Sequence, residues 1–253
     1  MITAASNSRI KRLVQLNQKS KLRRTEDVFL AEGVKMFLEA PREQLQEVYV
    51  SESFLEKCSC REHLEEVGYE VVSDSVFSKI SDTCTPQGVL CVLKQFHYNI
   101  EEMLRDKAPL FLLLENIQDP GNLGTMLRTG EGAGVSGIIM SRDTVDLYNP
   151  KVIRSTMGSI YRVPFYYAED FAAAVHQVQQ AGVSVYAAHL RGKNSYACQD
   201  YTKGTAFLIG NEGNGLREET AELADCYIRI PMEGKVESLN AAVASSILMY
   251  EAH

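Results

Sequence analysis

What the chain lacks narrows its class before any motif is read. No apolar run in its 253 residues approaches the roughly 20 needed to cross a bilayer, so no membrane role is expected. The basic opening MITAASNSRIKRLVQL has no continuous apolar core of the kind an export signal needs, and a cytoplasmic protein is expected. The six cysteines, Cys58, Cys60, Cys84, Cys91, Cys198 and Cys226, include no CxxC pair. That favours reduced thiols over disulfides or zinc, and no metal is expected. There is no internal repeat and no low-complexity tract. Nor is there an excess of positive charge: the net of -7 argues, taken alone, against a nucleic-acid partner.

The distribution of charge says something different. Residues 1–24 contain Arg9, Lys11, Arg12, Lys19, Lys21, Arg23 and Arg24 and no acidic residue, so this segment is +7 and the remainder -14. Such a patch can hold phosphates whatever the overall sign, because charges beyond about 8–10 Å are screened at physiological salt. A solvated basic helix explains it equally well.

The length suits two domains, each with its own core. After the basic helix, residues 27–40 (DVFLAEGVKMFLEA) place Val34, Phe37 and Leu38 at helical spacing, and the stretch reads as a continuing helix. QEVYVS, YEVVS and GVLCVLKQF read as strands separated by the helix-favouring SFLEKCSCREHLEEVG, giving a small α/β domain over residues 1–96. Residues 97–108 read as a linker, and residues 109–253 as a second domain. In that second domain the apolar runs LFLLLENI, GIIMS, SVYAAHL, AFLIG and CYIRIPM alternate with helical stretches, closing on SLNAAVASSILMYEA. Apolar strands without polar alternation, separated by helices, predict a parallel sheet covered on both faces. Ligands of such sheets gather in loops at the carboxyl ends of the strands.

Several of those loops are candidates for chemistry. GEGAG, residues 130–134, resembles part of a dinucleotide fingerprint but closes a helix where a cofactor loop should open one, so helix-capping glycines are the better reading. GNEGNGL, residues 210–216, follows an apolar strand without the GK[ST] of a phosphate loop. Its glycines let backbone amides approach a ligand, and Glu212 adds a fixed carboxylate. In IPMEGKVESLNAAVA, residues 230–244, Ser238 stands where it can cap the final helix. Asn240 falls in that helix's first turn, where a weak helix former asks for a reason.

Residues 115–134, 206–216 and 228–244 together resemble the three ordered motifs of the SpoU, or TrmH-type, branch of the SPOUT RNA methyltransferases. NPKVIRSTMGSIYRVP, residues 149–164, fits the same family, and residues 1–96 resemble the ribosomal-protein-like RNA-binding domain often joined to it. The resemblance implies an α/β fold whose C-terminal parallel sheet carries a deep trefoil knot. It also implies S-adenosylmethionine as cofactor, methylation of a ribose 2′-hydroxyl in RNA, and a homodimer that completes the site. Carried over position by position, Gly210, Ile230 and Leu239 line the cofactor. Arg128 assists removal of the hydroxyl proton, with Asn122, Glu212, Ser238 and Asn240 orienting it or the RNA. An arginine base is chemically uncomfortable, its pKa lying above about 12, so a protonated Arg128 that clamps the neighbouring phosphate is preferred. An ion pair with Glu131 is its ordinary alternative. Arg9, Lys11, Arg12, Lys151 and Arg154 are candidate phosphate contacts. Ribosomal RNA of the large subunit is preferred to transfer RNA as substrate. Against the enzyme stand an RNA-binding assembly factor without catalysis, disfavoured because all five catalytic candidates are present, and an NAD oxidoreductase, disfavoured by the misplaced glycines.

Overall fold

The computed structural model describes residues 1–253. In chain order the elements are α1 (Ser8–Gln18), α2 (Ser20–Glu26), β1 (Val28–Glu32), α3 (Val34–Leu38), β2 (Leu45–Ser51), α4 (Glu52–Lys57), α5 (Arg61–Val67), β3 (Glu70–Val72), α6 (Asp74–Ile80), β4 (Val89–Lys94) and α7 (Ile100–Met103). There follow β5 (Leu110–Leu114), α8 (Pro120–Gly132), β6 (Gly137–Ser141), α9 (Pro150–Thr156), β7 (Phe165–Ala168), α10 (Phe171–Gln180), β8 (Ser184–Ala188), β9 (Asn194–Ser195), β10 (Thr205–Ile209), α11 (Glu218–Ala221), β11 (Cys226–Arg229) and α12 (Ala241–Ala252). They divide into two compact units, residues 1–96 with 146–161, and residues 97–145 with 162–253.

The first unit has a four-stranded sheet in the order β1-β4-β2-β3, antiparallel except where β2 meets β3. Asn7 caps α1 by accepting from the Arg9 N–H, and Ile10, Leu13 and Leu16 turn one helical face into the core with Leu30, Tyr49, Phe77 and Val92. Residues 28–32, expected as helix, are a strand. The run Val28 to Ala31 is buried at every position, and central sheet packing outweighs the helical spacing that Val34, Phe37 and Leu38 do satisfy in α3. Asp27 and Gly33, both at positive φ, break the chain on either side of it.

Residues 146–161 fold with this unit and not with their sequence neighbours. Arg23, almost wholly buried, donates to Asp146 at 2.5 Å and to the Leu16 carbonyl at 2.6 Å. The Tyr148 ring lies 4.8 Å from Phe29, and the Tyr161 hydroxyl donates to the Met36 carbonyl. Residues 97–108, expected as a linker, instead carry α7, whose Ile100 and Met103 are buried in the core of the second unit.

That second unit is built on a seven-stranded sheet, order β7-β6-β5-β10-β8-β11-β9, with every pairing parallel. The expected all-parallel α/β arrangement is present: Phe111 to Leu114 and Ala206 to Leu208 have no exposed surface because neighbouring strands and helices cover both faces. Gly130 to Gly134 end α8, with Gly134 at φ +72°, so they stand at a helix end as expected. Gly130 also lets the chain fold back tightly after α8, since a Cβ there would stand 2.9 Å from the Val135 side chain. The carboxyl ends of β5, β10 and β11 deliver the three motif loops to one edge.

Candidate active site

Glu212 is the hub of that edge. Its Oε1 accepts from the Asp119 N–H and the Asn122 Nδ2, and its Oε2 from the Gln118 N–H, all at 3.0 Å. Asn240 Nδ2 donates to Asn122 Oδ1 at 3.0 Å, so one hydrogen-bonded chain joins Asn240, Asn122 and Glu212 across all three motif loops. Burial alone would raise the Glu212 carboxyl, but the donors from Asn122, Gln118 and Asp119 outweigh it and hold the group below its ordinary value. Asp119 starts α8 by accepting from the Asn122 N–H at 2.8 Å, with Pro120 in the first turn where no amide proton is needed.

Two cavities flank this hub and share Asn211, Glu212, Gly213 and Ala241 as a wall. The first, about 270 Å³, is lined by apolar Ile209, Leu216, Ile228, Ile230 and Leu239, by the backbone of residues 210–215, and by Ser238. Gly210, Ile230 and Leu239 therefore share one cavity. The second, about 520 Å³, is polar and takes Gln118, Asp119, Asn122 and Asn240. Gly210 is required by the turn itself: a Cβ there would stand 2.2 Å from the Gly215 carbonyl carbon and the Leu216 nitrogen.

Ser238 does not cap the final helix. The cap is Asn240, whose Oδ1 accepts from the Ala242 N–H at 2.9 Å and the Val243 N–H at 3.3 Å, so α12 begins at Ala241. Asn240 thus has two tasks, starting a helix with its oxygen and reaching Asn122 with its amide nitrogen. This explains a weak helix former at that position.

Two residues that sequence reading passed over shape the loops. Glu115, with a side chain 2% exposed, accepts from the Arg217 N–H at 2.8 Å and the Thr220 hydroxyl at 2.5 Å, tying the end of β5 to the start of α11. A carboxylate closing the apolar run LFLLL was the available signal. Asn211 accepts from the N–H groups of Gly213 and Asn214 at 3.0 Å and donates to the Asn116 carbonyl at 2.8 Å, folding the GNEGNG turn on its own side chain.

Arg128 stands apart. It is exposed on α8, lines neither cavity, and has no ion pair with Glu131, which is held by Arg162. The five candidate phosphate contacts all lie in the first unit, on α1 and α9. Lys11 and Lys151 are exposed. Arg9 is paired with Glu70, Arg12 with Glu26 and Glu47, and Arg154 with Asp82 at 3.2 Å. Together with the burial of Arg23, this leaves the basic segment far less open than its +7 suggests.

Comparison with known proteins gives a family for each stretch. Residues 109–250 match the profile of the SpoU rRNA Methylase family, and residues 7–91 that of the MRM3-like substrate binding domain. The chain is 32% identical to the 23S rRNA (guanosine(2553)-2′-O)-methyltransferase RlmP of Bacillus subtilis over 98% of its own length and 97% of that protein's. It is 32% identical to the 23S rRNA (guanosine-2′-O-)-methyltransferase RlmB of Bordetella pertussis over 83% and 89%. Among solved structures, an AdoMet-bound rRNA methyltransferase from Sinorhizobium meliloti superposes with a TM-score of 0.85 at 31% identity, covering 99% of this chain and 96% of that one. The SpoU methyltransferase AviRb from Streptomyces viridochromogenes, in complex with AdoMet, gives 0.88 at 26% identity, covering 97% of each chain.

Proposed function

The chain belongs to the SpoU rRNA methylase family, and from that premise we propose that it transfers the methyl group of S-adenosylmethionine to a ribose 2′-hydroxyl of large-subunit ribosomal RNA. The observation that carries this reading is the pair of cavities sharing the Glu212 loop, one apolar and one polar, joined where two reactants would meet. The apolar chamber suits the cofactor: Ile230 and Leu239 offer surface to its adenosine, and the loop from Gly210 to Gly215 offers close backbone groups to its polar parts. When bound, the cofactor would supply a methyl group on a cationic sulfur: its S–CH₃ bond would break as the 2′-O–CH₃ bond forms, leaving neutral S-adenosylhomocysteine, with the hydroxyl proton passing to solvent water.

The chain's own part is alignment. A reacting oxygen must be held about 3–3.5 Å from the methyl carbon, and a hydrogen-bonded wall preorganises the polar chamber for that. Asn122, Glu212 and Asn240 fix this wall, and Ser238 faces the cofactor side of it. Arg128 lies outside both cavities of its own chain, and Leu190, Val236, Val243 and Tyr250 leave apolar surface exposed on the same unit. We therefore assign the completed site to a homodimer, in which Arg128 of the partner subunit clamps the phosphate beside the acceptor ribose and lowers the hydroxyl pKa by its charge. The loops of residues 206–216 and 228–244 form the trefoil knot in this reading, a departure from the rule that chains do not thread loops. The first unit acts as a ribosomal-protein-like RNA-binding domain, with Arg9, Lys11, Arg12, Lys151 and Arg154 toward phosphates. The six free cysteines fit a cytoplasmic setting.

The test is methyl transfer from labelled cofactor to unmodified large-subunit rRNA, small-subunit rRNA and tRNA presented separately. Label confined to the large-subunit RNA supports the assignment, and label confined to tRNA replaces its substrate.

A further inference from the structure

The first unit contains a cavity of about 260 Å³ that the methyl-transfer site does not use. Its size is just below the roughly 300 Å³ at which pockets begin to take drug-sized ligands, so it suits a single planar group. Met36, buried, and Met157, 40% exposed and at φ +52°, both line it. A polarizable sulfur against an aromatic ring is a favourable contact.

The polar lining is placed for the edge of such a ring. Gln87 Oε1 accepts from the Val34 N–H at 2.9 Å, which fixes the amide and leaves its Nε2 with no hydrogen bond. Gly33 makes room for this arrangement, since a Cβ there would stand 3.1 Å from Gln87 Oε1. Thr85 also lines the cavity and is exposed, with its hydroxyl not bonded. Lys35 and Arg154 stand in the lining too, each half-exposed, Lys35 paired with Glu39 and Arg154 with the carboxylate and carbonyl of Asp82, while the lining's one carboxylate, Glu32, is occupied by the Ser81 and Thr83 hydroxyls. Surface pairs of this kind are weak, so both cations can turn to a phosphate.

Two methionines, a fixed amide donor, a free hydroxyl and two cations against one already hydrogen-bonded carboxylate suit a nucleotide unstacked from an RNA strand. We propose that this cavity receives a splayed base of the substrate RNA, at a nucleotide other than the one methylated, and so anchors the RNA on the first unit. The proposal rests on the reading of the substrate as RNA.

The experiment uses the full chain and in vitro transcribed large-subunit rRNA, measuring binding by filter retention and methylation in parallel. Gln87→Ala and Met157→Ala each weaken binding about fivefold, and the double variant more than tenfold, with cofactor affinity and the salt slope of binding unchanged; Gln87→Ala, which also frees the Val34 N–H, lowers the melting temperature slightly and Met157→Ala leaves it unchanged. Lys35→Ala lowers the salt slope by about one, as loss of one phosphate contact requires. Variants that bind RNA as wild type does, while wild type methylates it, overturn the cavity assignment and leave the methyltransferase intact. If wild type binds but methylates nothing, the methyltransferase reading fails and the variants' binding still decides the cavity. If wild type neither binds nor methylates, both fall.

Discussion

Replacing Glu212 by glutamine tests whether the carboxylate, and not merely a side chain of its shape, holds the site together. Its two oxygens accept three N–H groups at 3.0 Å, from Gln118, Asp119 and Asn122. Glutamine has one acceptor oxygen. If that oxygen keeps Asp119 and Asn122, its NH₂ group is turned against the Gln118 N–H, donor facing donor. Losing one charge-assisted bond and opposing two donors costs about 1–3 kcal/mol, toward the lower end because the carboxylate is partly open to water. Since 1.4 kcal/mol is tenfold in an equilibrium, cofactor affinity should fall by roughly 10-fold if the loop must be re-formed on binding. Titration calorimetry with S-adenosylhomocysteine reads this directly. The same residue sets a pH signature: its folded pKa is lowered, so its contribution is present above the ordinary carboxylate range near 4.5 and is lost as pH falls through the lower folded value. The glutamine variant should lack that acid-side loss in a melting-temperature profile. Wild-type affinity together with an unchanged acid limb would refute the role given to Glu212.

Further outcomes follow from the same geometry. If the proposed homodimer completes each site with the partner's Arg128, Arg128→Ala and Gly210→Ala, each inactive alone, should regain about a quarter of wild-type activity when mixed and reassociated at equal amounts, because half the dimers would then carry one intact site of two. No regain, with exchange of subunits verified, would mean that Arg128 acts within its own chain. Asp146→Ala should destabilise the first unit by about 3–5 kcal/mol in denaturant unfolding, since it leaves the buried Arg23 guanidinium without its carboxylate. A loss under 1 kcal/mol would show that the Leu16 and Asn17 carbonyls suffice. Leu208→Ala, in the fully buried β10, should cost about 2–5 kcal/mol by the same measurement.

The second unit was the more legible in sequence because its strands are uninterrupted apolar runs and its loops carry glycine, asparagine and acid in a specific order. Local spacing misled where burial decided, as at Val28 to Glu32, where a strand with four successive buried residues precedes a helix of similar composition. The membership of residues 146–161 in the first unit rests on Arg23–Asp146 and Phe29–Tyr148, pairs separated by more than a hundred positions that no local pattern announces. At the site, the loops gave Asn122, Glu212 and Asn240 by type and place, but not their hydrogen-bonded chain. Ser238 satisfied the composition of a helix cap. Asn240, two residues later, makes the bonds. Net charge was the weakest guide: Arg9, Arg12 and Arg23 look like free cations in a string of letters and are neutralised by Glu70, Glu26, Glu47 and Asp146, all distant or acidic neighbours that folding brings in.

The most direct measurement is the chemical position of the transferred methyl. Large-subunit rRNA labelled by the protein is hydrolysed with alkali, which cuts after every ribose with a free 2′-hydroxyl. The account predicts that the label survives in one alkali-resistant dinucleotide and is absent with Arg128→Ala. Label released on a free mononucleotide, and so carried by a base, would contradict it.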